Sequence, residues 1–122
     1  MIDRARLDTS RRDDAIAAGW EAYADQLQGH ESDYARWCEG CQVIAVVSGD
    51  EVIGALYVRA GVIHLGIVER RRRLWASRRL LREMLSYGKR TELMVGDSQA
   101  FVERIGRFYP AFGWQLREQS CQ

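Results

Sequence analysis

Residues 41–68, CQVIAVVSGDEVIGALYVRAGVIHLGIV, leave a chain of this kind few ways to fold. Three runs of Val, Ile and other strand-forming residues are separated by Ser48-Gly49-Asp50 and by Arg59-Ala60-Gly61. Gly-Asp and Ala-Gly are hairpin signals, because glycine adopts the positive φ that a tight two-residue connection needs. Each run must then fold back on the one before it. The expectation is an antiparallel meander of three strands, around which the rest of the chain packs.

Before the meander, residues 2–7 read as an edge strand, with a polar turn at 9–12. Asp13 or Asp14 opens a helix in which Ile16, Trp20 and Tyr23 recur at helical spacing to about residue 28, where Gly29 ends it. Ser32 begins a second short helix carrying Tyr34 and Trp37, which closes around Gly40. After the meander, residues 74–87 read as a helix with Leu74, Leu81, Met84 and Leu85 on one face, Arg78, Arg79, Arg82 and Glu83 mostly on others, and Gly88 as its C-cap. TELMV is a further strand, residues 98–108 a helix bringing Phe101, Ile105 and Phe108 together, and GWQLRE a last strand after Pro110. The order strand, two helices, three strands, helix, strand, helix, strand is that of an α+β fold around a mixed, mostly antiparallel sheet flanked by helices.

At 122 residues the chain is read as a single domain, 1–122. Hydrophobic residues make up 47% and charged residues 29%, with no apolar run long enough to span a bilayer. The start, MIDRARLDTSRRDD, lacks the apolar core of a signal peptide, so the expectation is a cytoplasmic protein without disulfides. A net charge of +1 provides no global attraction for nucleic acid, leaving the run at 70–73 as the one strong local patch. Cys38 and Cys41 form a CxxC pair, which is half of a structural zinc site. No second pair completes it, and the spacing of His30 and His64 does not call for them as ligands. A helix precedes the pair and a strand follows, the reverse of a thioredoxin-like site, so neither a metal nor a redox role is expected.

Four arginines, Arg70 to Arg73, stand where a strand hands over to a helix in HLGIVERRRRLWASRRLLREML. A run of charge is commonly a solvated face. Here it falls at a helix start, where free backbone N–H groups and the positive end of the helix dipole bind phosphate, and Arg72 and Arg73 add charge-assisted donors. That combination suits a polyanionic ligand.

With that stretch and the element order, the chain resembles the GNAT family of N-acetyltransferases, in which a strand leads into a pyrophosphate loop of the form R/Q-x-x-G-x-G/A and then a helix. Arg72 falls at the first position, Trp75 at the first glycine and Ser77 at the second small residue, while Leu80 and Leu81 match paired helix leucines. RFYPAFGW is similar to the family's F-Y-x-x-x-G-F signature, with Tyr109 at the tyrosine and Gly113-Trp114 at the glycine-aromatic pair. The resemblance covers nearly the whole chain. It departs from the pattern at Trp75, and in having one strand after the last helix where the family has two, which implies a partner chain completing the sheet or an exposed edge.

The resemblance implies a GNAT-like fold and direct attack of an amine on the thioester of acetyl-CoA. It places backbone N–H groups near Ile67 on the acetyl carbonyl and pantetheine arm, and amides of Arg73, Leu74, Trp75, Ala76 and Ser77 on the pyrophosphate with Arg72 nearby. Tyr109 takes the position of the acid that protonates the departing thiolate. His64, three residues before Ile67 on one strand, takes that of a base acting through water, work that suits an imidazole titrating at about 6.5. The first two helices, bearing Trp20, Tyr23, Tyr34 and Trp37, would wall the acceptor site, although such a stripe is by default core. Asp13, Asp14, Glu21, Asp25, Glu31 and Asp33 there suit a cationic amine, on a small molecule or a protein, and equally a solvated helix.

Two other readings stand beside this one. The first is a GNAT-fold protein without catalysis, serving in an assembly. Small divergent chains with such an arginine-tryptophan loop are similar to phage-encoded ones, some virion-associated. The second takes residues 70–73 with Arg78, Arg79 and Arg82 as a nucleic-acid patch, disfavoured because no base-reading motif accompanies them.

Overall fold

The computed structural model describes residues 5–72, 75–94, 103 and 113–117. The meander forms as its turns dictate: β2 (Gln42–Ser48), β3 (Glu51–Arg59) and β4 (Val62–Ile67) pair antiparallel in sequence order. Gly49 at φ 61° opens the first turn, and Ala60 and Gly61, at 51° and 78°, both sit in the left-handed region at the second. That second pair is the pattern of a type I′ connection, with alanine where asparagine or glycine is at home. A short β1 (Arg6–Asp8) adds antiparallel to β2 as the edge. Beyond β4 the sheet turns parallel: β5 (Arg90–Met94) joins β4, and β6 (Gly113–Arg117) joins β5, giving the order β1-β2-β3-β4-β5-β6. The fold is α+β around a mixed sheet.

Helices cover both faces. α1 (Arg12–Leu27) and α2 (Glu31–Glu39) lie on one, α3 (Arg78–Tyr87) on the other. β2 is buried on both sides, so Val43, Ala45 and Val47 face α1 and α2 while Ile44 and Val46 pack with Leu80 and Met84 of α3. A bulge between Val46 and Val47 leaves one extra residue on β3, which is why Ile53 and Leu56, three apart, join the same core. Arg12, at the start of α1, donates from Nη2 to the Cys38 carbonyl at 2.8 Å and from Nη1 to that of Cys41 at 3.1 Å, closing the open end of α2.

Two boundaries differ from the sequence reading in instructive ways. The first helix opens at Arg12 and the second at Glu31, one or two residues early, and neither has a side-chain cap to mark its start. The third starts at Arg78, four residues later than expected. Glu69–Arg71 form one 3-10 turn, and Ser77 is extended, accepting the Leu80 N–H on its hydroxyl as N-cap. Trp75 is drawn into the core beneath α3, 7% exposed, which holds the segment before Ser77 out of the helix. The expected opening strand at 2–7 is observed as Arg6–Asp8, with residues 1–4 outside the described set. Of the expected helix at 98–108, Glu103 alone is described, and it is helical.

A candidate binding crevice between β4 and β5

Among the described residues β4 and β5 pair at Val62 with Arg90, the first residue of each strand. Beyond that pair the Thr91 side chain still links the strands at Ile63, and with no further backbone pairing among the described residues the sheet is read as opening into a crevice toward their C-terminal ends. The chemistry of its β4 wall follows from the register on the other side. Val68 N–H donates to the Ile53 carbonyl at 2.9 Å, and β3 and β4 pair in step from Gly54–Ile67 to Arg59–Val62. Hydrogen-bonded pairs alternate along an antiparallel ladder, so Gly66, His64 and Val62 also bond to β3. The peptide groups of Ile63, Leu65 and Ile67 therefore point the other way, toward the crevice.

Their carbonyls confirm this direction, because each is taken by a side chain. Thr91 Oγ1 of β5 donates to Ile63 O at 2.6 Å, Tyr23 Oη of α1 to Leu65 O at 2.6 Å, and Arg72 Nε to Ile67 O at 2.9 Å. The N–H groups of Leu65 and Ile67 remain directed into the opening. Gly66 is required beside them: a Cβ there would meet the Tyr23 ring at 2.6 Å. Gly88, just after α3, lies against Gly61 and Ile63 at the start of β4, so α3 runs back along the strand and its N-terminus sits at the crevice's open end.

The arginine run is divided among different tasks. Arg70 Nη2 donates to Glu51 Oε2 at 2.6 Å, and Arg71 donates from Nε and Nη2 to Glu51 Oε1 at 3.0 and 2.7 Å. Such an exposed cluster is worth about 0–1 kcal/mol per pair, and it removes two charges from any nucleic-acid patch. Arg72 reaches inward, adding a 3.0 Å bond from Nη2 to the Ala22 carbonyl of α1. Ala76 is exposed and Ser77 half-buried at the helix start, whereas Trp75 is buried in the core. Arg73, Leu74 and Tyr109 lie outside the described residues.

His64 is on the sheet face that carries α1 and α2, half-buried, its ring 5.6 Å from that of Trp37 in an edge-on contact. Trp37 also lies 4.4 Å from the Tyr57 ring, and Trp20 5.5 Å from Tyr34. Beneath them Tyr57 and Tyr34 are hydrogen-bonded at 2.8 Å, and Tyr34 donates onward to the Ile16 carbonyl at 2.6 Å. Burial pushes both phenols well above their ordinary range. Most of the aromatic stripe is therefore core, as its default reading holds, with the indole edges of Trp20 and Trp37 at the surface. Asp14 and Asp33 of the acidic set are paired locally, with Arg11 at 3.0 Å and His30 at 3.2 Å.

Cys38 and Cys41 are free thiols, both buried, and burial raises the pKa of each. Among the described residues no group of three His, Cys, Asp or Glu could hold a metal ion, and no helix is long and apolar enough to cross a membrane. Two residues of the crevice, Tyr23 and Thr91, and Glu51 beneath the arginine run have no signature in the sequence. Tyr23 read as one more aromatic of the stripe, and a threonine or glutamate in a strand announces nothing. No protein-family model matches the chain, and comparison with curated proteins and with solved structures finds no match either.

Proposed function

We propose that the chain is a GNAT-type N-acetyltransferase that transfers the acetyl group of acetyl-CoA to an amine by direct attack. One observation carries the reading: the crevice wall presents the N–H groups of Leu65 and Ile67 beside the N-terminus of α3. Peptide donors fixed in a strand are suited to an acyl or amide carbonyl, and most strongly to the oxyanion formed when an amine adds to it. The helix start, with its first-turn amides and the neighbouring Arg78 and Arg79, suits phosphate. Both halves fit a thioester on a long phosphorylated carrier.

The co-substrate supplies an activated acyl carbon and a thiolate leaving group. The chain's part is to fix the carbonyl against the β4 amides, to exclude water, and to move two protons. His64 is assigned the first, taking a proton from the acceptor ammonium through water from the helical face of β4. Tyr109, by the resemblance, is assigned the second, donating to the departing sulfur. The amine gains the acyl group as the C–S bond breaks, and the thiol leaves protonated. A cationic acceptor on a small molecule or a protein is the substrate class, reached from the side of α1 and α2.

A second reading, a non-catalytic component of an assembly, is favoured by one observation. Arg72, expected on the pyrophosphate, is instead bonded to the carbonyls of Ile67 and Ala22. Calorimetric titration with acetyl-CoA separates the two. Binding in the micromolar range, followed by amine-dependent thiol release that falls at least about tenfold in Tyr109→Phe and in His64→Ala, is the expected result. Absence of binding by the folded protein refutes the enzyme and leaves the assembly reading.

A further inference from the structure

The crevice does not stay open for want of a partner strand. Continued in the register set by Val62 and Arg90, a parallel ladder would bring the amide of Glu92 to the carbonyl of Ile63 and that of Met94 to the carbonyl of Leu65. Both carbonyls already hold a hydroxyl, from Thr91 and Tyr23, at 2.6 Å each. The third, of Ile67, holds the Arg72 guanidinium. Three side chains from different parts of the chain thus cap alternate carbonyls of one strand edge, and among the described residues none is seen on its N–H groups.

We propose that Tyr23, Thr91 and Arg72 are positioning residues that take the outward β4 carbonyls in place of β5 amides and leave the exposed edge richer in donors than in acceptors. Each takes one of the two lone pairs of a carbonyl that β5 would use, so that a closed ladder would have to share these oxygens or displace the side chains. An extended polypeptide needs alternating donors and acceptors to add to an edge, and the capped edge offers its donors more readily than its acceptors. A ligand that brings hydrogen-bond acceptors, such as a carbonyl oxygen, is favoured. Tyr23 and Arg72 also fasten α1 to the same edge, since Arg72 bonds Ala22 as well, so the position of the helix and the width of the crevice are one property. The device is independent of which acceptor-bearing ligand enters.

Amide hydrogen exchange on the full-length, ligand-free protein, resolved by residue, tests this without any assumption about acetyl-CoA. In the unmodified chain the Leu65 and Ile67 amides should exchange at least about tenfold faster than those of His64 and Gly66, which bond to β3. In Tyr23→Phe the Leu65 and Met94 amides should slow by about tenfold or more as the ladder closes. Thr91→Val, nearly isosteric, should slow the Glu92 amide in the same way and keeps the test available where the tyrosine variant fails to fold. Slow Leu65 and Ile67 amides in the unmodified chain would overturn the proposal. So would variants in which these amides are unchanged, or in which the whole sheet merely exchanges faster.

Discussion

Gly19 of α1 lies over the hydroxyls of Tyr57 and Tyr34, and a Cβ built on it would overlap the first of them. Close approach of the helix to the sheet is what lets the two phenols bond to each other and to the Ile16 carbonyl. Gly19→Ala is expected to destabilise the fold by about 2–3 kcal/mol, from overpacking against a buried hydrogen-bonded pair, as read from denaturant midpoints. The same network sets the alkaline limit. Burial raises the pKa of Cys38 and Cys41 from the ordinary 9.0 and of Tyr57 and Tyr34 from 10.0, so the native state keeps protons that the unfolded chain has released. Their contribution is complete below about pH 9 and is lost as pH rises, first through the thiols and then the phenols. Melting temperature should fall steadily above pH 9 and less steeply in Tyr57→Phe, which at pH 7 costs only about 1 kcal/mol. A melting temperature flat to pH 10.5 would contradict the assigned burial. None of this was legible in the sequence, where Tyr34 and Tyr57 were two aromatics in separate elements and Gly19 an unmarked helical glycine.

Among the elements, those with chemical punctuation were readable and those without it were misplaced. The meander's strands follow the turns at Gly49 and at Ala60-Gly61, and β5 and β6 fall where their alternating patterns lie. The third helix was read from Leu74 because its apolar period continues backward through the loop. What decides the start is Ser77, whose hydroxyl accepts the Leu80 N–H, together with a tryptophan pulled into the core. Ser77→Ala should therefore lower stability by about 1 kcal/mol, and the nearby Ala76→Ser, outside the helix, by much less. Ala60 offers the opposite sign. Its φ of 51° is strained for a residue with a side chain, so Ala60→Gly should raise stability by about 0.5–1 kcal/mol despite the added freedom of the unfolded chain. A loss of stability in that variant would mean that the turn is not the left-handed pair described.

At the scale of the molecule, the proposed function rests on where the sheet changes from antiparallel to parallel. The sequence revealed the order of the described elements and hence an α+β fold, while Ile67 entered only through the family resemblance. It did not reveal that the arginine run would be split, with Arg70 and Arg71 on Glu51 and Arg72 folded back onto β4 and α1. The contacts with Glu51 and Ala22 join residues 19, 20 and 50 positions apart, which no local pattern encodes. Nor did it reveal that side chains would cap the outward carbonyls of the β4 edge, because that depends on register. The central claim is that the Leu65 and Ile67 amides receive the acyl carbonyl of a CoA thioester. The most direct test is a ¹H–¹⁵N spectrum of the full-length protein recorded with increasing acetyl-CoA. The account predicts saturable downfield shifts of the Leu65 and Ile67 amide protons, larger than those of His64 and Gly66, the alternate residues that bond to β3. Binding that leaves these two amides unmoved, or shifts confined to the face carrying α1 and α2, would place the ligand elsewhere and contradict it.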